Sequence, residues 1–445
     1  MAQLFWEGKK ACPDSLKVSN FESQYVHSKP YYGNGQLELP MDRTELRGKP
    51  LNRIIQGDNL QAAANLINQG YKEKIQLIYI DPPYFSQKGY STKKGINSRL
   101  SINRTAFNDI WNHGIDSYLE MIYPRLCIFK ELLSHTGSMF VHLDWHVSHY
   151  VKLLLDELFG QKNFINEIVW CYTGGSNAKR HFQRKHDIIL WYGKTQDYCF
   201  IPQYRPYSQG TVDRGLTRVK GNKYRLRQEG AIMPDWWTDI NKILSPTARE
   251  NLKYPTQKPA RLLERIISCA SLPGDTVADF FVGSGTTAYV CQQLGRNWLV
   301  CDNSPIAIQT TIKRLLKIDN CFFQVHRAGD REPYKSRVVL KPPEIHPYNH
   351  EFNLVFLHIE DYCWSRDRKV ELGGNETGTV LIDYWEIDFD YHGQFHSDLQ
   401  VINEDHNNPI ISLTALVPRK KSYSIAVQVY DIFGDSAFAV YEVCI

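Results

Sequence analysis

Asp81, Pro82, Pro83 and Tyr84 follow the apolar run Ile75-Gln76-Leu77-Ile78-Tyr79-Ile80, which reads as a buried strand. A carboxylate, a stiff turn and an aromatic ring therefore stand at the C-terminal end of a strand, where open α/β sheets bind their ligands. Two prolines fix φ and withdraw their own N–H groups, so the turn is rigid and offers carbonyl oxygens as acceptors. Such a set suits a planar ring carrying an exocyclic amino group. Taken alone, the tetrapeptide reads equally well as a proline-rich turn capped by an aspartate.

A second set lies two hundred residues downstream. Phe281-Val282-Gly283-Ser284-Gly285-Thr286 separates a predicted strand over 276–280 from a predicted helix over 286–294, and its glycines let a ligand approach the backbone closely. Gly283, Gly285 and Ala288 satisfy a relaxed G-x-G-x-x-A pattern, and Asp302 ends the next strand near the spacing of a ribose-binding acid. On these residues the turn is either a nucleotide or nucleoside site or a purely structural strand-to-helix turn. A nicotinamide-dependent oxidoreductase accounts for the glycines and Asp302 but leaves Asp81 to Tyr84 unexplained.

The elements that must position these groups alternate. A strand near 54–58, a helix over 59–68, the strand ending at Ile80, a helix over 115–133, a strand over 138–143 and a helix over 146–158 predict a doubly wound parallel sheet. The pattern resumes with a helix over 260–271 and strands over 276–280 and 298–301. Residues 1–50 are rich in Pro, Gly, Asn and Tyr and predict an irregular arm. The polar stretch 85–108 predicts a mobile loop directly after the first set. Pro342-Pro343 marks a linker, and short strands beyond it predict a β-rich domain over 341–445, sandwich-like in its alternation.

Composition sets bounds. A chain of 445 residues needs more than one ordinary core, and no run of eighteen apolar residues is present to span a bilayer. The start of the chain lacks a signal-peptide core, which predicts a cytoplasmic protein. Ten cysteines are scattered without C-x-x-C pairs or zinc spacing, so neither disulfides nor a structural metal is expected. His142, Asp144 and His146 stand at metal-like spacing but without a further ligand cluster, and are read as structural or substrate-facing. Trp236-Trp237 is read as core or an interdomain plug. The net charge is only +4, but it is unevenly spread. Lys179, Arg180, Arg184, Lys185, Arg214, Arg218, Lys220, Lys223, Arg225 and Arg227 form a basic segment interleaved with Tyr204, Tyr207 and Tyr224, as phosphate neutralisation requires. Beyond Glu351 acids outnumber bases, so the two halves are expected to face different partners.

The two sets together, Asp81-Pro82-Pro83-Tyr84 and Asp279-Phe280-Phe281-Val282-Gly283-Ser284-Gly285-Thr286-Thr287, resemble the D-P-P-Y and D-P-F-x-G-S-G-T-T motifs of amino-group DNA methyltransferases, in the order of their permuted β class. Gly57-Asp58-Asn59, the stretch from Phe164 to Trp170, His186 to Leu190 and Tyr254 to Pro259 are similar to further signatures of that family, so the likeness covers roughly 50–320. Phe280 departs from the family's usual Pro, and Asp302 from its commoner Glu. The resemblance implies an S-adenosylmethionine-dependent methyltransferase domain over 51–330 with a target-recognition insert at about 171–250. It further implies a flipped-out base held by Asp81, Pro82, Pro83 and Tyr84 and a cofactor bordered by Asp279, Phe281, Gly283, Gly285 and Thr286, its ribose on Asp302. It points to Asp58 for the adenine moiety and to Thr256 and Lys258 for the methionine end, with the basic segment on duplex DNA. Asp at position 81, where N4-cytosine enzymes more often carry Ser, points to adenine N6. A catalytically idle DNA-binding relative is the remaining alternative. The acidic domain is expected to make protein contacts, with a second copy of the chain or a restriction subunit.

Overall fold

The computed structural model describes residues 3–13, 21–31, 52–96, 101–175, 178–219, 221–328, 336–365 and 377–445. Eleven strands form its main sheet, labelled in chain order: β1 (Phe21–His27), β2 (Asn52–Gln56), β3 (Ile75–Ile80), β4 (Leu133–Leu143), β5 (Phe164–Cys171), β6 (His186–Gly193), β7 (Trp236–Trp237), β8 (Thr276–Asp279), β9 (Asn297–Asp302), β10 (Phe322–Ala328) and β11 (His396–Ser397). Their spatial order is β7-β5-β6-β4-β3-β8-β9-β2-β10-β1-β11. The central run from β4 to β10 is wholly parallel, whereas β6 is antiparallel to both of its neighbours.

Helices cover both faces. On one, α1 (Asn59–Leu66), α2 (Gly114–Leu132) and α3 (Ser148–Phe159) bury Leu66, Leu126 and Leu155 against Ile78, Ile80 and Val141. On the other, α4 (Ala260–Ala270), α5 (Thr286–Gln293) and α6 (Pro305–Leu316) bury Ile266, Val290 and Ile312 against Leu77, Tyr79 and Val300. Every residue of β3 is buried, the signature of a central strand covered on two sides. The adjacency of β3 and β8 matters most for the site. Tyr79 lies opposite Asp279, so Asp81 and Phe281 leave the sheet side by side from neighbouring parallel strands.

Three expectations need correction. Residues 21–27 of the supposed irregular arm form β1, antiparallel to β10, and Pro30–Tyr31 joins another sheet. Their strand character was hidden because an inward position is Gln24, which is bonded to Arg327 at 2.8 Å and to Glu386 rather than packed by an apolar chain. The remaining arm residues, 1–2, 14–20 and 32–50, lie outside the described residues. Within the predicted mobile loop, strands Lys88–Gly95 and Ser101–Asp109 pair antiparallel, held by the stacked rings of Tyr90 and Phe107 and by bonds from Thr92 to the Lys253 carbonyl and from Arg104 to the Ile432 carbonyl, while 97–100 lie outside the described residues. Cys12 and Cys127 are paired as a disulfide with their Cα atoms 5.7 Å apart; their 115-residue separation gave no local spacing to read. Of the acids from Glu351 onward, Asp383, Glu386, Asp388, Asp398 and Asp431 are buried, whereas Glu351, Glu360, Glu404, Asp405 and Glu442 are exposed.

Residues 336–365 and 377–445 build a two-sheet sandwich. One sheet holds Arg337–Leu340, Phe352–Cys363, Glu344–Pro347 and Ser412–Pro418; the other holds Pro30–Tyr31, Leu399–Ile402, Ile382–Asp388, Ser422–Asp431 and Ser436–Cys444. Trp385, Val355, Leu357 and Val427 lie in the core between them. The sandwich docks on α6 and the edge of the main sheet through buried acids: Asp383 takes Lys313 at 2.7 Å and faces Lys94 at 3.6 Å, and Glu386 takes Gln24. Asp383 and Glu386 thus serve an internal joint.

Candidate active site

The C-terminal tips of β3, β8 and β9 open into one cleft of about 800 Å³, part of it continuous with solvent. Asp81, Pro82, Pro83, Tyr84, Thr256, Lys258, Asp279, Phe281, Gly283, Thr286 and Asp302 all line it. Two sequence-predicted residues stand apart. Asp58 caps α1, accepting the Leu60 and Gln61 N–H groups at 2.9 and 3.1 Å, and pairs with Arg125 at 2.5 Å, so its carboxylate is engaged outside the cleft lining. Gly285 caps α5 with φ +76°, and a Cβ there would lie 2.8 Å from the Thr311 hydroxyl; close helix packing requires the glycine.

Asp81 is held from two sides. The Tyr84 hydroxyl donates to its Oδ1 and the Lys258 ammonium to its Oδ2. Lys258, expected toward the methionine end of a cofactor, is thus an Asp81 partner in this state, and it also lies 5.3 Å from the Tyr84 ring centre. Thr256, also expected there, lies in the left-handed region at φ +60° and lines the cleft. The turn after Asp81 is fixed by Asp109, which the sequence reading did not single out. Its carboxylate accepts the N–H groups of Tyr84 at 3.2 Å, Phe85 at 2.9 Å and Ser86 at 2.7 Å, and the Trp111 indole N–H at 2.7 Å. These bonds hold Phe85 at φ +63°, a costly conformation for an aromatic residue that persists only where its surroundings enforce it. A lone aspartate ending a polar stretch carried no spacing signal by which to find it.

Behind Tyr84 stands His142, fully buried, its ring 6.2 Å from the Tyr84 ring. One ring nitrogen meets the Tyr79 hydroxyl at 2.9 Å and the other Asp187 at 3.1 Å, while Asp187 also accepts from Tyr172 at 2.9 Å. Burial pushes the Asp187 carboxyl up, but His142, Lys258 and Tyr172 outweigh it and hold the carboxyl below its ordinary range. His146 pairs with Asp144 at 2.7 Å, separately from His142, and among the described residues no group of three His, Cys, Asp or Glu is arranged to hold a metal ion.

Backbone donors organise the opposite wall. Asp279 accepts the Phe281 N–H at 2.9 Å and the Thr287 hydroxyl at 2.5 Å; burial drives its carboxyl up to about 7. Asp302 accepts the Gly283 N–H on one oxygen and the Ser304 N–H on the other, both at 2.9 Å, leaving further lone pairs turned to the cleft; burial raises this carboxyl too. Gly283 has φ +53°, and a Cβ there would press within 3.3 Å of the Tyr254 ring. A glycine turn walled by the Tyr254 ring, beside a carboxylate that can take two hydroxyl hydrogens, fits a nucleoside.

The basic segment lies away from the cleft lining. Lys179, Arg180, Arg184, Arg214, Lys223, Arg225 and Arg227 are exposed, whereas Lys185 is half-buried and donates to the Gly175 carbonyl at 3.0 Å. Arg218 pairs by backbone with Lys223 in a two-stranded ribbon, and Lys220 lies outside the described residues. Trp237 is buried but Trp236 is exposed, so the pair is not one plug.

Residues 75–313 match the sequence model of the N6/N4 DNA methylase family. The chain is 27% identical over 323 residues to the type II methyltransferase M.EcaI of Enterobacter cloacae, covering 59% of this chain and 69% of that protein. It is 32% identical over 168 residues to the type III restriction-modification enzyme EcoPI Mod subunit of Escherichia phage P1, spanning 34% of this chain and only 26% of the subunit. Among solved structures, the M1.HpyAVI–SAM complex aligns over 59% of this chain and 98% of its own, with 22% identity and a TM-score of 0.39.

Proposed function

This chain belongs to the DNA methylase family of the N6/N4 type, and from that premise we propose that it transfers the methyl group of S-adenosylmethionine to the N6 amino group of an adenine extruded from duplex DNA. The observation that carries the reading is the convergence of Asp81 to Tyr84 with Phe281, Gly283, Thr286 and Asp302 on one cleft. The Gly283 turn and Asp302 would hold the nucleoside half of the cofactor, which supplies an electrophilic sulfonium methyl when bound. Asp58 has no part in this reading.

An exocyclic amino nitrogen is a poor nucleophile because its lone pair is delocalised into the ring. Asp81 and the Pro82 carbonyl accept its two N–H hydrogens, favour a pyramidal nitrogen and direct its lone pair toward the β8 side of the cleft. The contribution is orientation and electrostatic stabilisation, with no covalent enzyme intermediate. For Asp81 to accept from the base, Lys258 and the Tyr84 hydroxyl must yield at least one of its oxygens. Tyr84, backed by His142, offers a ring face to the extruded base. The carboxylate at position 81 favours adenine over cytosine. The exposed cations from Lys179 to Arg227 supply phosphate contacts. A cytoplasmic setting is part of the same reading, and the likeness to a Mod subunit supports a restriction subunit as partner.

Sequencing DNA from cells that express the protein, with base-modification detection, tests the reading. N6-methyladenine in a fixed sequence context is expected; N4-methylcytosine instead would transfer the same geometry to the other base, and unmodified DNA would remove the proposal.

A further inference from the structure

Just beyond the C-terminal tip of β4, the neighbour of β3, stands an aromatic group that the catalytic reading does not use. Trp145 is three residues beyond His142, in the turn between β4 and α3, and is 41% exposed. It is not loose. The His146 ring stacks on it at 3.7 Å with an interplanar angle of 30°, and the Arg184 guanidinium sits over the indole at 3.8 Å. Arg184 precedes Asp187 by three residues, just as Trp145 follows His142 by three. Since β4 and β6 run antiparallel, with His142 opposite Ile189, the Trp145–Arg184 contact continues outward the same pair of chains that join at His142–Asp187. Contacts run from Tyr84 through His142 to Asp187, and Arg184, three residues before Asp187, meets Trp145.

Two further exposed aromatic residues lie close to its stack in the sequence. Tyr150 lies on the first turn of α3, and Phe182, 98% exposed, stands two residues before Arg184 among Arg180, His181 and Lys185. Exposed aromatic rings interleaved with cations beside a catalytic cleft are the chemistry of a surface that stacks unpaired bases while neutralising phosphates. Trp and Arg both offer planar faces, and an Arg laid on an indole combines stacking with a cation–π contact.

We propose that Trp145, fixed between His146 and Arg184, is a nucleobase-stacking platform that receives a base of the DNA flanking the extruded target. The inference deepens the DNA reading above and rests on it for the identity of the ligand. Its role is binding: the platform holds the distorted strand while Asp81 and Tyr84 engage the target.

The test uses the full-length chain and a short mixed-sequence duplex substituted with 5-iodouracil, which cross-links to stacked aromatic side chains on irradiation. The expected result is a cross-link mapped by mass spectrometry to Trp145. In parallel, Trp145→Ala is expected to weaken duplex binding by roughly 5- to 150-fold, equivalent to about 1–3 kcal/mol per stacked base, while Trp145→Phe retains most of the affinity. The slope of affinity against salt should not change for either variant, because no charge is removed; Arg184→Gln should reduce it by about one ion. Calorimetric S-adenosylmethionine binding checks that Trp145→Ala is folded, and if it is not, the cross-link and Trp145→Phe decide. Cross-links confined to other residues, or wild-type duplex affinity in Trp145→Ala, overturn the platform. Neither readout depends on methyl transfer, so a chain that binds and cross-links DNA without methylating it would sink the catalytic reading and leave the platform standing.

Discussion

The carboxylates of the cleft and those of the sandwich are built in opposite ways. At the strand tips, Asp81, Asp279 and Asp302 line an open cavity, and the latter two spend their bonds on backbone N–H groups of the very turn that would meet a ligand. In the sandwich, Asp383, Glu386 and Asp431 are buried, and Asp383 and Glu386 reach across to partners in the other half of the molecule: Lys313 and Lys94 for Asp383, Gln24 for Glu386. The cleft keeps lone pairs available, whereas the joint uses acids as mortar between halves. Each set can therefore be broken with little expected effect on what the other does.

The largest separation should come from Asp81→Ala. Methyl transfer is expected to fall on the order of 10³-fold, because the amino group loses its orienting acceptor. Cofactor affinity, measured by calorimetry, should stay near that of the wild type, since Asp302 and the Gly283 turn are untouched. Retained turnover would remove Asp81 from the mechanism. The reciprocal break is Asp383→Ala, which strands Lys313 and Lys94 beside α6 without their acceptor. Removing one partner of a buried pair costs about 3–5 kcal/mol, read as a lower denaturation midpoint, and an unchanged midpoint would mean the joint does not depend on this acid.

The joint should also titrate. Burial raises the Glu386 carboxyl from 4.5 to about 7, and Asp431 likewise to about 7 through burial and its neighbour Asp435. Both are protonated in the folded chain over a range where the unfolded chain has released the proton, so the stability they confer is full at low pH and is lost as pH rises toward 7. Asp383 runs the other way: burial raises it, but Lys313, His406 and Lys94 outweigh this and hold it well below its ordinary range, so its contribution is present at neutral pH and lost on acidification. Glu386→Gln should flatten the decline between pH 4.5 and 7 in midpoint-against-pH curves. An unaltered slope would assign that decline to Asp431 or to Asp279 of the cleft, both likewise raised to about 7.

Much of this was readable from the chain. The central strands are continuous apolar runs with turn residues at their tips, because a sheet covered on both faces admits little else, and Asp81, Phe281 and Asp302 fall at those tips. What escaped was settled by long-range pairing. β1 turns a glutamine inward to meet Glu386 and Arg327, the hairpin after Tyr84 is held by Lys253 and Ile432, and Cys12 meets Cys127 only because residues 3–13 lie against α2. Asp109 is the clearest case. Its three bonds to Tyr84, Phe85 and Ser86 come from a strand 23 to 25 residues away, and no periodicity marks it.

The finest division lies within Tyr84, which has a hydroxyl on Asp81 and a ring over His142. If the base amino group takes the place of that hydroxyl on Asp81, the hydroxyl matters only before substrate arrives. Tyr84→Phe should then cost about 1 kcal/mol at most, a few-fold in kcat/KM. Tyr84→Ala should lose the stacking face as well, roughly 5- to 150-fold, and this loss should appear mainly in kcat/KM for DNA with cofactor binding unchanged. Equal losses in the two variants would show that the Asp81–Tyr84 bond persists during catalysis. In that case Lys258 would be the partner that yields, and Lys258→Gln would then be the variant with the larger effect on kcat/KM.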